Sequence, residues 1–173
     1  VDFEFIDTTN LDTVANAIKD NTKLIHLETP SNPLLELADI EKISTLAHKN
    51  NVLVSVDNTF MGSYGQRPLD LGADIVMHST TKFLSGHSDV LSGALMINND
   101  IASEKITLIQ NTGGALPSPF DAWLLLRSVK TLSVRVEKQF ENAGKIARWL
   151  DDNPKVTRVI YPGLESHKQF DLA

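Results

Sequence analysis

Three short apolar runs, LIHLE (24–28), VLVSVD (52–57) and IVMHS (75–79), each stop abruptly in polar residues. Glu28 to Pro33, Asp57 to Thr59, and Ser79 to Lys82 form those polar ends. A short apolar run bounded by turn residues reads as a buried strand. Amphipathic segments separate them. From Asp12 to Lys19, Val14, Ala15 and Ile18 share a face behind a cap at Thr9 or Asn10. From Ala38 to Asn50, Ile40, Ile43, Leu46 and Ala47 do the same. Strands alternating with helices restrict the chain to a largely parallel α/β sheet.

GALMIN (93–98) predicts a further strand, and helix dominates from Ile101 onward. Ser118-Pro119 is a helix start. The run Trp123 to Leu126 reads as buried helix. Val136, Phe140, Ala143, Ala147 and Leu150 mark a long amphipathic helix that Asp151 to Pro154 ends. VTRVIYPG (156–163) is expected to be a strand that opens a second unit. The expected division is a core domain over 1–153, including the long linking helix, and the start of a smaller domain over 154–173.

With 173 residues the chain suffices for one well-buried domain. A net charge of −6 offers nothing to a phosphate backbone, so no nucleic-acid partner is expected. The absence of cysteine rules out disulfides and thiolate metal sites within it. No apolar run is long enough for a membrane helix, so no membrane partner is expected. The five histidines lack ligand spacing, and no metal is expected. His87 and Asp89 read as loop-stabilising. No glycine-rich dinucleotide or P-loop pattern occurs. Val1 is not methionine and HKQFDLA carries no terminating motif, so both ends are expected to be cuts in a longer chain.

In parallel α/β sheets ligands gather outside the carboxyl ends of the strands. One crevice would therefore collect all three polar clusters. Lys82 follows hydroxyls at Ser79, Thr80 and Thr81. Hydroxyls and a lysine in one loop suit a phosphate and a reactive amine. Asp57 ends a very apolar strand, where a carboxylate needs a cationic or hydrogen-bonding partner. Taken singly, Lys82 reads as a surface lysine and Asp57 as a loop cap. Together they match the needs of pyridoxal phosphate: a Schiff-base lysine, phosphate donors, and an acid beside the ring nitrogen.

ETPSNP, DNTF, STTKFLSGHSD and SPFDAWLLLRSVKTL resemble the successive motifs of the Cys/Met-metabolism pyridoxal-phosphate enzymes. That family includes the cystathionine γ-lyases, β-lyases and γ-synthases and the methionine γ-lyases. The resemblance runs from DTTNL to YPGLESH, and HLET, DNTFMGSYGQRPL and VRVEKQFEN look nearest to the γ-lyases. It implies an aspartate-aminotransferase-like (type I pyridoxal-phosphate) large domain, truncated at both ends. It implies a cytoplasmic homotetramer of paired dimers acting on a small amino acid by β- or γ-elimination. The alternatives are a γ-replacing cystathionine γ-synthase or homoserine sulfhydrylase, an aminotransferase of the same fold, and an inert oligomerising piece. This chain alone is expected to be inactive.

The resemblance also implies individual roles. Lys82 matches the catalytic Schiff-base lysine, and Asp57 the partner of the pyridinium nitrogen. Ser79 and Thr81 match the phosphate hydroxyls. Asn32 matches the asparagine on the ring's phenolic oxygen, and Thr59 a neighbour of the ring. Two positions depart from the pattern. Relatives often carry a proline and an aromatic where MGSYGQRPL has Ser63 and Gly65, and alanine is common at Thr80.

Overall fold

A computed structural model describes residues 1–173. The strands form where the apolar runs fall: β1 (Leu24–Glu28), β2 (Leu53–Asp57), β3 (Ile75–Ser79) and β4 (Gly93–Ile97). They make one sheet in the order β1-β2-β3-β4. β1, β2 and β3 run parallel, with Leu24 opposite Leu53, Glu28 opposite Asp57, and Asp57 opposite Met77. β4 departs from that direction and pairs antiparallel with β3, Ser79 opposite Gly93. The physical reason is the connection. Residues 80–92 contain no helix, and a parallel return normally needs a helical crossover.

Six α-helices are α1 (Leu11–Ala17), α2 (Ile40–Lys49), α3 (Gly62–Gly65), α4 (Asp100–Gly113), α5 (Pro119–Ser128) and α6 (Leu132–Asp151). Their starts follow from side-chain chemistry. Asn10 accepts from the amides of Asp12 and Thr13, Asp39 from Lys42, Asn99 from Ala102, and Ser118 from Asp121. Each such cap is worth about 1 kcal/mol.

The core lies between one face of the sheet and α1 and α2. Val14, Ile25, Leu27, Ile40, Ile43, Val54, Val56 and Val76 belong to one buried cluster. Only 30 of the 173 residues are buried, so this cluster is the mechanical centre of the chain. α5 lies outside it. Trp123 is 57% exposed and Leu126 67%, against the buried helix expected there. The stretch AWLLLR is apolar on every side, so its sequence carries no signal of which side faces the core. α6 instead packs against α3. A Cβ added to Gly65 would stand 2.6 Å from Cζ of Phe140, so that ring fills the space an aromatic at position 65 would take.

The strand expected over 156–163 is absent. Its hydrogen bonds are turns, Val156 to Asn153 and Leu164 to Tyr161, and none joins it to a strand of the sheet. The end of the chain docks on the loop after β1. The Gln169 amide accepts from Leu37 N at 2.9 Å and donates to Leu37 O at 2.7 Å, while Lys168 pairs with Glu36 at 2.8 Å.

His78 sits on the core face of β3, 1% exposed, with neither ring nitrogen hydrogen-bonded. Burial pushes its imidazole below the usual histidine range, and the Asp57 carboxylate opposes this in part. The unfolded chain protonates this ring near pH 6.5, whereas the folded chain resists. Stability attributable to His78 is therefore complete above that pH and is lost as pH falls through it towards the lowered folded value. We expect His78→Leu to fold normally at pH 7.5 and to melt progressively higher than the parent protein as the pH is lowered to 5.5. Scanning calorimetry at both values checks this, and parallel pH profiles for the two proteins would refute it.

Candidate active site

Because β1, β2 and β3 are parallel, their polar carboxyl ends open on the same edge of the sheet. A cleft of about 580 Å³ lies there. Asn32, Asp57, Thr59, Ser79, Thr81 and Lys82 all line it. Residues as distant in sequence as Asn32 and Gln139 on α6 thus share one wall only through the fold.

Local bonds fix several of these positions. Asp57 Oδ1 accepts from the Thr59 amide at 2.9 Å, which turns the chain out of β2. Thr59 Oγ1 accepts from the Ser79 amide at 2.7 Å and so ties the end of β2 to the end of β3. Asn32 N donates to Glu28 Oε1 at 3.1 Å. Glu28, at the end of β1, therefore both steadies Asn32 and borders the cleft.

Beneath the cleft lies a brace that the sequence reading did not single out. Asn58 is buried and donates from its side chain to Gln66 O at 2.8 Å. Gln66 Nε2 donates in return to Asn58 Oδ1 and to Thr29 O, both at 2.9 Å. The ends of β1 and β2 are thereby held together. The available signal was a second polar residue directly after the buried strand, where an unpartnered amide would be costly.

The polar groups facing the cleft are largely unspent. The Lys82 ammonium makes no ion pair or hydrogen bond within the chain, and neither does the Ser79 hydroxyl. Asp57 uses one oxygen for the Thr59 amide. Thr81 differs. Its hydroxyl accepts from Ser92 N at 3.1 Å and donates to Ser92 O at 3.3 Å. An anion bonded by Thr81 would have to take its single proton from that long contact with Ser92 O. His87 Nδ1 lies 2.5 Å from Ser85 O within the same loop. A cation, an anion, a hydroxyl and an amide around one cleft suit a small ligand that carries charges of both signs.

Comparison with known proteins places the chain in a family. The family model described as Cys/Met metabolism PLP-dependent enzyme matches residues 1–173. A probable cystathionine gamma-synthase of Herpetosiphon aurantiacus is 54% identical over 99% of this chain and 54% of its own length. The cystathionine gamma-lyase of Dictyostelium discoideum is 52% identical over 98% of this chain and 44% of its own length. Among solved structures, cystathionine gamma-lyase from Lactobacillus plantarum complexed with L-serine superposes with a TM-score of 0.96. It shares 44% identity and covers 98% of this chain and 45% of its own. The chain thus spans about half the length of the curated relatives it matches. On its motifs, its sheet and its match from end to end, the chain belongs to the family of PLP-dependent enzymes of cysteine and methionine metabolism.

Proposed function

We propose that the whole protein is a pyridoxal-phosphate-dependent carbon–sulfur lyase or transferase acting on sulfur amino acids. The observation that carries this reading is the convergence of Lys82, Asp57 and Ser79 on one cleft, with the ammonium and the hydroxyl unpartnered. Those residues fit the cofactor's chemistry. Lys82 is the attachment amine, Asp57 the acid for the ring nitrogen, and Ser79 and Thr81 the donors to phosphate. Asn32 would bond the phenolic oxygen, and Thr59 ties the ends of β2 and β3 together beside the cleft. When bound, pyridoxal phosphate supplies an electron sink for negative charge at the substrate α-carbon.

The chain's own residues do the rest. The Asp57 carboxylate holds a proton at the ring nitrogen by favouring its charged form. Lys82 Nζ, beside the substrate α-carbon, would move the proton there, a task worth about 10²–10⁴-fold. Departure of a thiol from the β-carbon would then complete β-elimination, whereas departure from the γ-carbon would first need a further proton removed from the β-carbon. Replacement by a second nucleophile is the other reading, and the 54% identity to a probable γ-synthase favours keeping it. Assay with cystathionine and with an activated homoserine plus cysteine separates the two: the first yields keto acid and ammonia, the second a new thioether.

Further parts of the proposal rest on family likeness. The protein is a cytoplasmic homotetramer of paired dimers, with residues 1–153 in the cofactor domain and 154–173 opening a smaller one. No helix is long and apolar enough to cross a membrane.

Two measurements test the site. Borohydride reduction of the whole protein with bound cofactor is expected to fix a pyridoxyl group on the peptide containing Lys82, and Lys82→Ala to abolish turnover. Label on Lys105 or Lys130 would overturn the assignment. Asp57→Asn keeps the side chain's size and removes its charge. Turnover is expected to fall by about 10²-fold or more, while cofactor occupancy changes far less. Near-normal turnover would reduce Asp57 to a cap on β2.

A further inference from the structure

We propose that Arg135, on α6, is a positioning residue that holds the loop of Lys82 in the shape that presents its amine to the cleft. This rests on the reading of Lys82 given above. The loop's carbonyls are satisfied one after another. Thr80 O accepts from Ser85 N and Lys82 O from Gly86 N. Thr81 O accepts from the Ser85 hydroxyl, and Ser85 O faces His87 Nδ1. Those four partners belong to the loop itself. Phe83 O and Leu84 O, directly after Lys82, have only Arg135: Nη1 at 2.9 Å and Nη2 at 3.4 Å.

The guanidinium is anchored from its other side. Nη2 donates to Ser128 O at 3.1 Å, and Nε to Thr131 Oγ1 at 3.1 Å. It therefore joins the lysine loop to the junction between α5 and α6. No carboxylate pairs with it, so its charge is directed wholly at carbonyl and hydroxyl dipoles. The rigid fork of arginine spans these acceptors together, and a lysine ammonium does not.

A second observation points the same way. Gly86 has φ of +73°, and a Cβ there would stand 2.2 Å from Arg135 Nη1. Position 86 is thus doubly restricted to glycine, by its backbone and by the guanidinium pressed against it. Gly86 lines the cleft, and so does Gln139, one turn beyond Arg135 on the same face of α6. The face of α6 that holds the loop is also a wall of the site.

The test uses the whole protein as Arg135→Met, Arg135→Lys and Gly86→Ala, the last displacing the guanidinium without removing it. Three quantities are measured: affinity of the apo form for pyridoxal phosphate, amide hydrogen exchange of residues 79–88 in the apo form, and its melting temperature. In all three variants exchange over 79–88 is expected to rise and cofactor affinity to fall on the order of 10- to 100-fold. Arg135→Lys recovers only part of the loss. Wild-type affinity and exchange in Arg135→Met, with a lowered melting temperature alone, would make Arg135 a purely structural residue and overturn the proposal. Should Arg135→Met fail to fold, wild-type affinity and exchange in Gly86→Ala overturn it equally. Pyridoxyl label away from Lys82 in the parent protein would overturn the reading of Lys82 first, and this proposal with it.

Discussion

Parallel pairing of β1, β2 and β3 is the constraint from which the rest follows. Evenly registered ladders bring Glu28 opposite Asp57 and set Ser79 just beyond them on β3. The backbone bonds within the ladders are shielded by Val54, Val56 and Leu27, which are almost wholly buried. Because the strands point one way, their polar ends reach one edge. Antiparallel pairing among these three would have dispersed the same residues to opposite ends of the sheet. The antiparallel β4 does no harm to this arrangement, since it contributes Gly93 beside Ser79 and no group of the proposed site.

Much of this was legible before any coordinates. Apolar runs ending in polar residues located β1, β2 and β3 nearly to the residue, because burial on one face and a turn at the end are both written locally. The direction of β4 was not, since it depends on whether residues 80–92 form a helix. The stretch 156–163 has strand composition but pairs with no strand here, and a ladder is a property of two segments. α5 illustrates the converse case. Its apolar surface runs all round, so nothing local says that Trp123 and Leu126 face outward.

The six candidate site residues were chosen by chemistry and family likeness, and all of them line one cleft. What escaped the sequence was the layer that holds them. Arg135 and Gln66 reach distant backbone carbonyls, which carry no residue-type signature, while Asn58 showed only as a second polar residue after β2. A polar side chain that bonds a distant carbonyl looks, in sequence, like any surface residue. The occupied hydroxyl of Thr81 escaped for the same reason, its partner being the backbone of Ser92.

The brace between Asn58 and Gln66 has a consequence for the protein's chemical ageing. Each amide gives a hydrogen to an oxygen of the other residue, so neither tolerates losing its nitrogen. Hydrolysis of the Asn58 amide would set a carboxylate against Gln66 O, acceptor against acceptor, in a buried site. Hydrolysis of Gln66 would do the same against both Asn58 Oδ1 and Thr29 O. A single such event, worth one dalton and invisible on most gels, would part the ends of β1 and β2 directly under the cleft. Amides are among the most heat-labile side chains. The burial that makes Asn58 structurally indispensable also shields it from the water that would destroy it.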